Sequence, residues 1–414
     1  MSFSMAASHA IGKGKEPDAV FAVLNKANNA KAKLGKENVI NGSIGAIFDE
    51  NEQFAAFHGV SEHLRRLSDE EIMNYAPISG LPEYLQAAID YTFGRHKPEQ
   101  MHLKAVATPG GTGAIRHVFY NYLEQGEKAL IPDWFWGPYK TIANEHMRDI
   151  EAYSMFDENN DPTLTSLKDK TLDLLKKQNS LVTVFNTPAH NPTGYSMKID
   201  EWKEMLDFYK VCSTDKNKKI VLLLDIAYID YVNDPDEARS FMKLFTALPE
   251  NILVTFAFSM SKSFLLYGMR SGALIGLSSS AEAAEEFAQI NAYSSRGVWS
   301  NGTRSAQRLL ADIMKDEKLK SEIDAERKQL SQLILKRADI FVREAKEVGL
   351  KILPYHGGFF ISVPAQDPKA AAEKLMEDNI FIVPLKKGLR FAICALPASK
   401  IPGLAAKTKK AIEC

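Results

Sequence analysis

Through its middle the chain alternates short β-branched and apolar runs with longer segments whose apolar positions recur at helical spacing, the rhythm of an α/β protein with a parallel sheet. The runs 129–131, 181–185, 220–224, 252–258 and 273–277 read as strands. Several are apolar at every position, which suits a sheet covered by helices on both faces. Ile115, Val118, Phe119, Tyr122 and Leu123 fall at i, i+3, i+4, i+7 and i+8 ahead of Gly126, the stripe of a helix with one buried face. From 319 to 350 the pattern is one long amphipathic helix, and beyond it strands at 358–363, 380–384 and 389–395 enclose a helical run at 368–378. That second set predicts a smaller α+β unit. No linker, repeat or low-complexity block separates the two, so the boundary is set inside the long helix. Residues 1–48 are expected to contribute to the small domain, 49–320 to form the large one and 321–414 the rest of the small one.

Ligands of an open parallel sheet lie beyond the carboxyl ends of its strands, so the polar residues that follow each buried run are where chemistry is expected. The run 181–185 is followed by NTPAHNPTG, which places Asn191 in a Pro-rich turn. The run 220–224 ends in Asp225, then Ala227 and Tyr228, and 252–258 ends in Ser259, Met260, Ser261 and Lys262, with Arg270 downstream. Singly, each has a plain structural explanation: an acid at a strand end caps or turns, Asn-Pro-Thr-Gly is a turn by itself, and a lone lysine is a solvated charge. Their joint occurrence on successive strand ends, after a glycine-rich helix start at 110–113, is what points to a site. That helix start carries neither the GxGxxG nor the Walker pattern, so a nucleotide reading fails.

With 414 residues and 46.1 kDa the chain exceeds one small domain. Its 51 basic and 52 acidic side chains leave a charge of -1, which argues against nucleic acid and polybasic membrane binding. The 3 cysteines, Cys212, Cys394 and Cys414, are scattered, so neither a disulfide framework nor a metal site is expected. A reducing cytoplasm is the default compartment. No apolar run reaches the roughly 18 residues that span a bilayer, and the early Glu16 and Asp18, without arginine, argue against a transit peptide.

These motifs resemble those of the class I aminotransferases that use pyridoxal phosphate, especially the aspartate and aromatic amino acid branch. The likeness is carried by TPGGTGAIR at 108–116, HNPTG at 190–194, DIAY at 225–228, SMSKSFLLYGMRSG at 259–272 and GLRFA at 388–392. It implies an α/β large domain, with a mostly parallel sheet sandwiched by helices, plus a smaller α+β domain. It implies pyridoxal 5'-phosphate as cofactor and Lys262 as the catalytic residue that forms its Schiff base, since burial and nearby positive charge favour the neutral, nucleophilic amine. Gly110, Gly111, Thr112, Ser259 and Arg270 then grip the phosphate, through a helix start with its positive dipole end and a bidentate guanidinium. Asp225 keeps the ring nitrogen protonated, and the charged ring accepts electrons better than the neutral one. Tyr228 and Asn191 resemble the pair that hydrogen-bonds the ring oxygen. An aromatic must cover the ring face, and PDWFWGPYK offers two: Trp134 has the family spacing from Pro132, Trp136 fits better read backward from Tyr139 and Lys140, and Trp134 is preferred and expected to border cofactor and substrate. Where the aspartate branch places a histidine behind the acid, this chain has Tyr139 or nothing, with His190 as another available partner.

For the substrate, Arg390 resembles the arginine that binds the α-carboxylate, planar two-point recognition favouring arginine over lysine. Gly45 matches the glycine that lets that carboxylate approach backbone, and Asn191 borders the same space. Tyr75 resembles the tyrosine that reaches the neighbouring subunit's phosphate. Arg296 lines up with the arginine that takes the distal carboxylate of aspartate or glutamate across the same interface, although Trp299 replaces a tyrosine there and the paired prolines are missing. The resemblance thus implies a cytoplasmic homodimer with shared sites and small-molecule partners, an amino acid and a 2-oxo acid. The activity implied is transfer of the amino group of aspartate or an aromatic amino acid to an acceptor such as 2-oxoglutarate, with Lys262 moving the proton. A lyase or decarboxylase on the same scaffold is the alternative, because the cofactor stabilises the same carbanion whichever bond breaks. A pyridoxal-sensing regulator is disfavoured by near-neutral charge and the short stretch before residue 40.

Overall fold

The computed structural model describes residues 4–15 and 18–413, so Glu16 and Cys414 lie outside the described residues. The chain divides into two compact units, one of Ala55–Lys336 with Leu353–Phe359, the other of Met1–Phe54, Arg337–Ile352 and Phe360–Cys414. The cut falls inside the helix Glu317–Val348, at 337 rather than 321, and the N-terminal contribution to the smaller unit runs past 48 to Phe54. Buried polar bonds account for the position. Arg337 is fully buried and donates to the carbonyls of Phe48 and Cys394 within the smaller unit, pairing there with Glu50. Earlier on the same helix, Ser331 and Arg327 bond the carbonyls of Val232 and Ser263 in the larger unit.

Strands β1 (Ile40–Gly42), β9 (Phe360–Pro364), β10 (Ile380–Leu385) and β11 (Gly388–Ala392) belong to the smaller unit. The larger holds β2 (His102–Thr108), β3 (Lys128–Pro132), β4 (Asp149–Tyr153), β5 (Ser180–Asn186), β6 (Lys219–Asp225), β7 (Ile252–Ser259) and β8 (Gly272–Ser278). Its 7-stranded sheet runs β2-β8-β7-β6-β5-β3-β4. Strands β3 to β7 pair in parallel, and only β8 runs against its neighbours.

The helix Gly110–Tyr122 packs its Ala114, Ile115, Val118 and Phe119 on one face of this sheet, against Val182 and Val184 of β5, Val221 and Leu223 of β6, Ala257 of β7 and Leu274 of β8. The intervening residues Leu181, Ile220, Leu222 and Leu224 are buried as well, so both faces of the central strands are covered. Edge strands β2 and β4 were not among the predicted elements. HLKAVAT and DIEAY carry charges suited to an exposed margin, and these break the apolar run that marks a central strand.

The smaller unit has a 4-stranded sheet ordered β1-β10-β11-β9, with β1 parallel to β10 and the other pairs antiparallel. Val23 and Ala27 of the helix Ala19–Leu34 close one face on Val39 and Phe381. Among the described residues no helix is long and apolar enough to cross a membrane.

Candidate active site

The sheet register brings the chemistry together. Asn186, the last residue of β5, stands opposite Asp225, the last of β6, which in turn pairs with Ala257 of β7. Strand β7 runs on to Ser259, which caps the single-turn helix Met260–Ser263 by accepting the Ser261 N–H at 3.2 Å. Past these strand ends lies a cavity of ≈ 160 Å³ whose wall includes Asn191, Asp225, Tyr228, Ser259, Lys262 and Arg270, with Gly111 and Thr112 from the start of the helix Gly110–Tyr122.

One group of these residues is built for an anion. No side chain caps the helix at Gly110, so its first N–H groups and positive end face the site. Gly110 has φ +68, and a Cβ there would come within 2.6 Å of Arg270 Nη2, so the guanidinium passes where only glycine leaves room. A Cβ on Gly272 would meet the Phe258 carbonyl at 2.4 Å. Arg270 donates through Nη1 to Ser261 Oγ and the Tyr267 carbonyl, each at 3.0 Å, and its partial burial lowers its pKa.

The second group surrounds a buried acid. Burial pushes the Asp225 carboxyl above the ordinary carboxylate range, while a hydrogen bond from Tyr139, the Ala227 N–H and the charge of Lys262 work the other way. Tyr139 Oη donates to Oδ2 at 2.6 Å and Ala227 N to Oδ1 at 3.2 Å. The partner of the acid is therefore Tyr139. His190 instead faces Thr193 Oγ1 at 2.8 Å, and burial pushes its pKa down to about 3. Asn191 donates to Tyr228 Oη at 3.2 Å. Lys262 Nζ lies 4.4 Å from the ring centre of Tyr267, 5.5 Å from Phe359 and 5.9 Å from Tyr228.

The expectation for Trp134 needs correction, since Trp136 lines the cavity and Trp134 is not among its lining residues. Spacing from Pro132 misleads because the β3–β4 pairing continues past it. Asp133 N donates to the Tyr153 carbonyl at 2.8 Å and its carboxylate accepts from Met155, which leaves Trp134 buried and gives the wall to Trp136, edge-on to Tyr139 at 5.5 Å.

Four further predicted residues stand apart from this wall. Tyr75 is 79% exposed, and the exposed Arg296 donates to Ser300 Oγ at 2.7 Å. Gly45 and Arg390 belong to the smaller unit and meet around Phe360. The Arg390 guanidinium lies 4.3 Å over that ring and donates to the Ser43 carbonyl at 2.7 Å, while a Cβ on Gly45 would strike the ring at 2.6 Å.

Sequence reasoning missed Asn186, Ser261 and Tyr267, all in the cavity wall. Asn186 ties the site's two polar strand ends together, donating to the Asp225 carbonyl at 2.8 Å and accepting the Asn191 N–H at 2.6 Å. As the first polar residue after a buried run it had the same signal as Asp225.

Residues 37–407 match the family model described as Aminotransferase class I and II. An aspartate aminotransferase of Salmonella typhi is 26% identical over 318 residues, 75% of this chain and 77% of that one. The crystal structure of an aminotransferase from Anaerococcus prevotii aligns with a TM-score of 0.97 at 38% identity, covering 100% of both chains. An aromatic-amino-acid aminotransferase from Burkholderia pseudomallei, solved covalently bound to pyridoxal phosphate, shares the fold at a TM-score of 0.78 and 21% identity, over 98% of this chain and 100% of that one.

Proposed function

The chain belongs to the class I and II aminotransferases and is a pyridoxal-phosphate-dependent transaminase, and from that premise we propose that Lys262 is the amine that bonds the cofactor and then moves the substrate's proton. The observation that carries this reading is Lys262 in the wall of the same cavity as the buried Asp225. When bound, the cofactor supplies an aldehyde that exchanges amino groups and a ring that takes up the electron pair of a broken Cα–H bond.

The donor set suits such a group. Arg270, Ser259 and Thr112, with the backbone at Gly110 and Gly111, hold its phosphate, and Asp225 holds the proton on its ring nitrogen. Asn191 and Tyr228 hold its ring oxygen, and Trp136, in the place expected of Trp134, covers one ring face. Lys262 would take the proton from the substrate's Cα and return it to the cofactor's former aldehyde carbon, on the far side of the amino nitrogen. Arg390 binds the substrate carboxylate, with Gly45 leaving room beside it.

The donor is aspartate or an aromatic amino acid and the acceptor a 2-oxo acid such as 2-oxoglutarate, as the names of its relatives suggest. Tyr75 and Arg296 act from the partner subunit of a homodimer. The large side chains Met73, Tyr75 and Tyr293 are 79%, 79% and 84% exposed and so are available to a partner. The cytoplasm is the compartment that fits.

Borohydride reduction of the holoenzyme, followed by digestion and mass mapping, is the test. The label is expected on Lys262; a label on any other side chain, or on none, overturns the assignment.

A further inference from the structure

Behind Lys262, on the side that the cavity does not use, lies a buried polar network. The lysine sits on a helix of 4 residues, Met260–Ser263. So short a helix has little stability of its own, and although the Leu265 N–H reaches the Lys262 carbonyl at 3.3 Å, side chains from elsewhere also hold its last carbonyls. Tyr231 Oη donates to the Lys262 carbonyl at 2.9 Å, and Arg327 Nε donates to the Ser263 carbonyl at 2.7 Å. The Ser263 hydroxyl bonds to Asp230, whose carboxylate also takes Arg239 Nη2 at 2.7 Å and Tyr91 Oη at 2.8 Å. Phe264, next along the chain, is held between Tyr91 at 5.1 Å and the Arg327 guanidinium at 5.0 Å.

Asp230, Tyr231, Arg239 and Arg327 are 4%, 1%, 7% and 7% exposed. Placing two guanidiniums and a carboxylate away from water is weak evidence for stability as such; apolar side chains would serve a core as well. What the network does is geometric. Three of its members, Tyr231, Arg327 and Asp230, bond the main chain or hydroxyl of residues 262–263, and two of these, Asp230 and Tyr231, follow directly on the segment that carries Asp225 and Tyr228.

We infer that Tyr231 and Arg327 are positioning residues that anchor the main chain of Lys262, so that its amine swings from a fixed Cα between its bond to the cofactor and its work as a base. The inference rests on the reading of Lys262 as the reactive amine. Proton transfer tolerates little misplacement, a shift of ~1 Å costing roughly 100-fold. Tyr231→Phe removes one hydroxyl and keeps the ring that packs on Phe359 at 4.8 Å. Arg327→Gln removes the guanidinium, and Arg327→Lys returns a positive donor.

The experiment follows the first half-reaction of each holoenzyme by cofactor absorbance, with ordinary and α-deuterated donor, alongside a pH titration of the bound cofactor's spectrum. Tyr231→Phe and Arg327→Gln are expected to slow the half-reaction about ten- to hundredfold with KM within about twofold. The isotope effect is expected to rise as proton transfer becomes limiting, the spectral midpoint to shift, and Arg327→Lys to recover part of the rate. A lower melting temperature with unchanged half-reaction rate and isotope effect overturns the inference, and Tyr231→Phe alone decides if Arg327→Gln does not fold. Borohydride label on Lys262 with unaltered variant rates defeats this inference only; label elsewhere in the wild type defeats the lysine assignment and the inference with it.

Discussion

The phenol oxygen of Tyr139 lies 2.6 Å from Oδ2 of Asp225, and both side chains are buried. Burial drives the carboxyl upward, toward the neutral form that cannot hold a cationic ring, and the phenol opposes it by donating to the ionised form. Burial, with the Asp225 charge beside it, also holds the pKa of Tyr139 well above its ordinary value, so it remains a donor throughout the working range. A neutral hydroxyl thus supports the acid where the aspartate branch uses a histidine.

Removing that donor sets a direction. In Tyr139→Phe the Asp225 carboxyl rises further, so it is protonated at higher pH and the acidic limb of the activity profile moves up. A hydrogen bond to a charged group is worth about 1.5–3 kcal/mol, so cofactor affinity is expected to fall roughly ten- to hundredfold. Cofactor titration of the apoenzyme and the pH profile of the half-reaction check both effects. An acidic limb that stays in place would show that Tyr139 does not sustain the charge on Asp225.

Gly110 offers a test of the anion group. Its φ of +68 and the 2.6 Å approach of Arg270 Nη2 leave no room for a methyl group, yet the obstruction is the far end of a flexible side chain. Gly110→Ala is therefore expected to fold, at a cost of about 1–3 kcal/mol for the strained backbone, while pushing the guanidinium off its position. Affinity for pyridoxal phosphate should drop at least about tenfold with little change for pyridoxal, which lacks the phosphate. Equal losses for both molecules would place the anion elsewhere.

How far the sequence told this story depends on the kind of signal. Strands buried on both faces announced themselves as unbroken apolar runs, and their ends located Asn191, Asp225, Ser259 and Lys262 because β5, β6 and β7 lie side by side in parallel register. The edge strands β2 and β4 escaped, their charged positions serving exposure rather than core. Between Trp134 and Trp136 spacing gave two answers, one forward from Pro132 and one backward from Tyr139, and choosing needed the exit path of β3 and the bond from Tyr139 to Asp225. Tyr231 and Arg327 escaped for a different reason: residues 231 and 327 meet the lysine's helix only through tertiary structure, and a buried tyrosine or an arginine on an amphipathic helix has no local mark that separates it from packing.

Arg296 separates the two donor classes. In the protomer its guanidinium is exposed, with Nη1 on Ser300 Oγ at 2.7 Å. If it takes the distal carboxylate of a dicarboxylic donor in the dimer, Arg296→Ala should lower kcat/KM for aspartate and glutamate by roughly 100-fold, the worth of a charge-assisted contact, and spare aromatic donors. A donor panel against 2-oxoglutarate measures this. Equal losses across the panel would mean that the residue holds structure, not substrate.

His117, finally, makes a statement about stability and pH. Its ring is fully buried, with Arg116 Nη1 3.2 Å from Nδ1 and Ser295 Oγ 3.0 Å from Nε2. A guanidinium can only donate, so Nδ1 accepts and Nε2 carries the proton toward Ser295, which describes a neutral imidazole. Trp299 stacks on it at 4.5 Å. Burial first, and the Arg116 charge second, push its pKa from 6.5 down to about 3. Below pH 6.5 the unfolded chain binds a proton that the folded one refuses, so stability must fall as pH drops from 6.5 toward 3, the full contribution being present only above that window. Each such histidine adds about 1.4 kcal/mol per pH unit to the slope, and His190, also held near 3 by burial, adds its own share. Denaturant titrations of the wild type and of His117→Gln at about pH 6, 5 and 4 should therefore differ in slope by roughly 1 kcal/mol per unit. Parallel slopes would mean that His117 takes up its proton without unfolding, and that Arg116 and Ser295 do not hold it neutral.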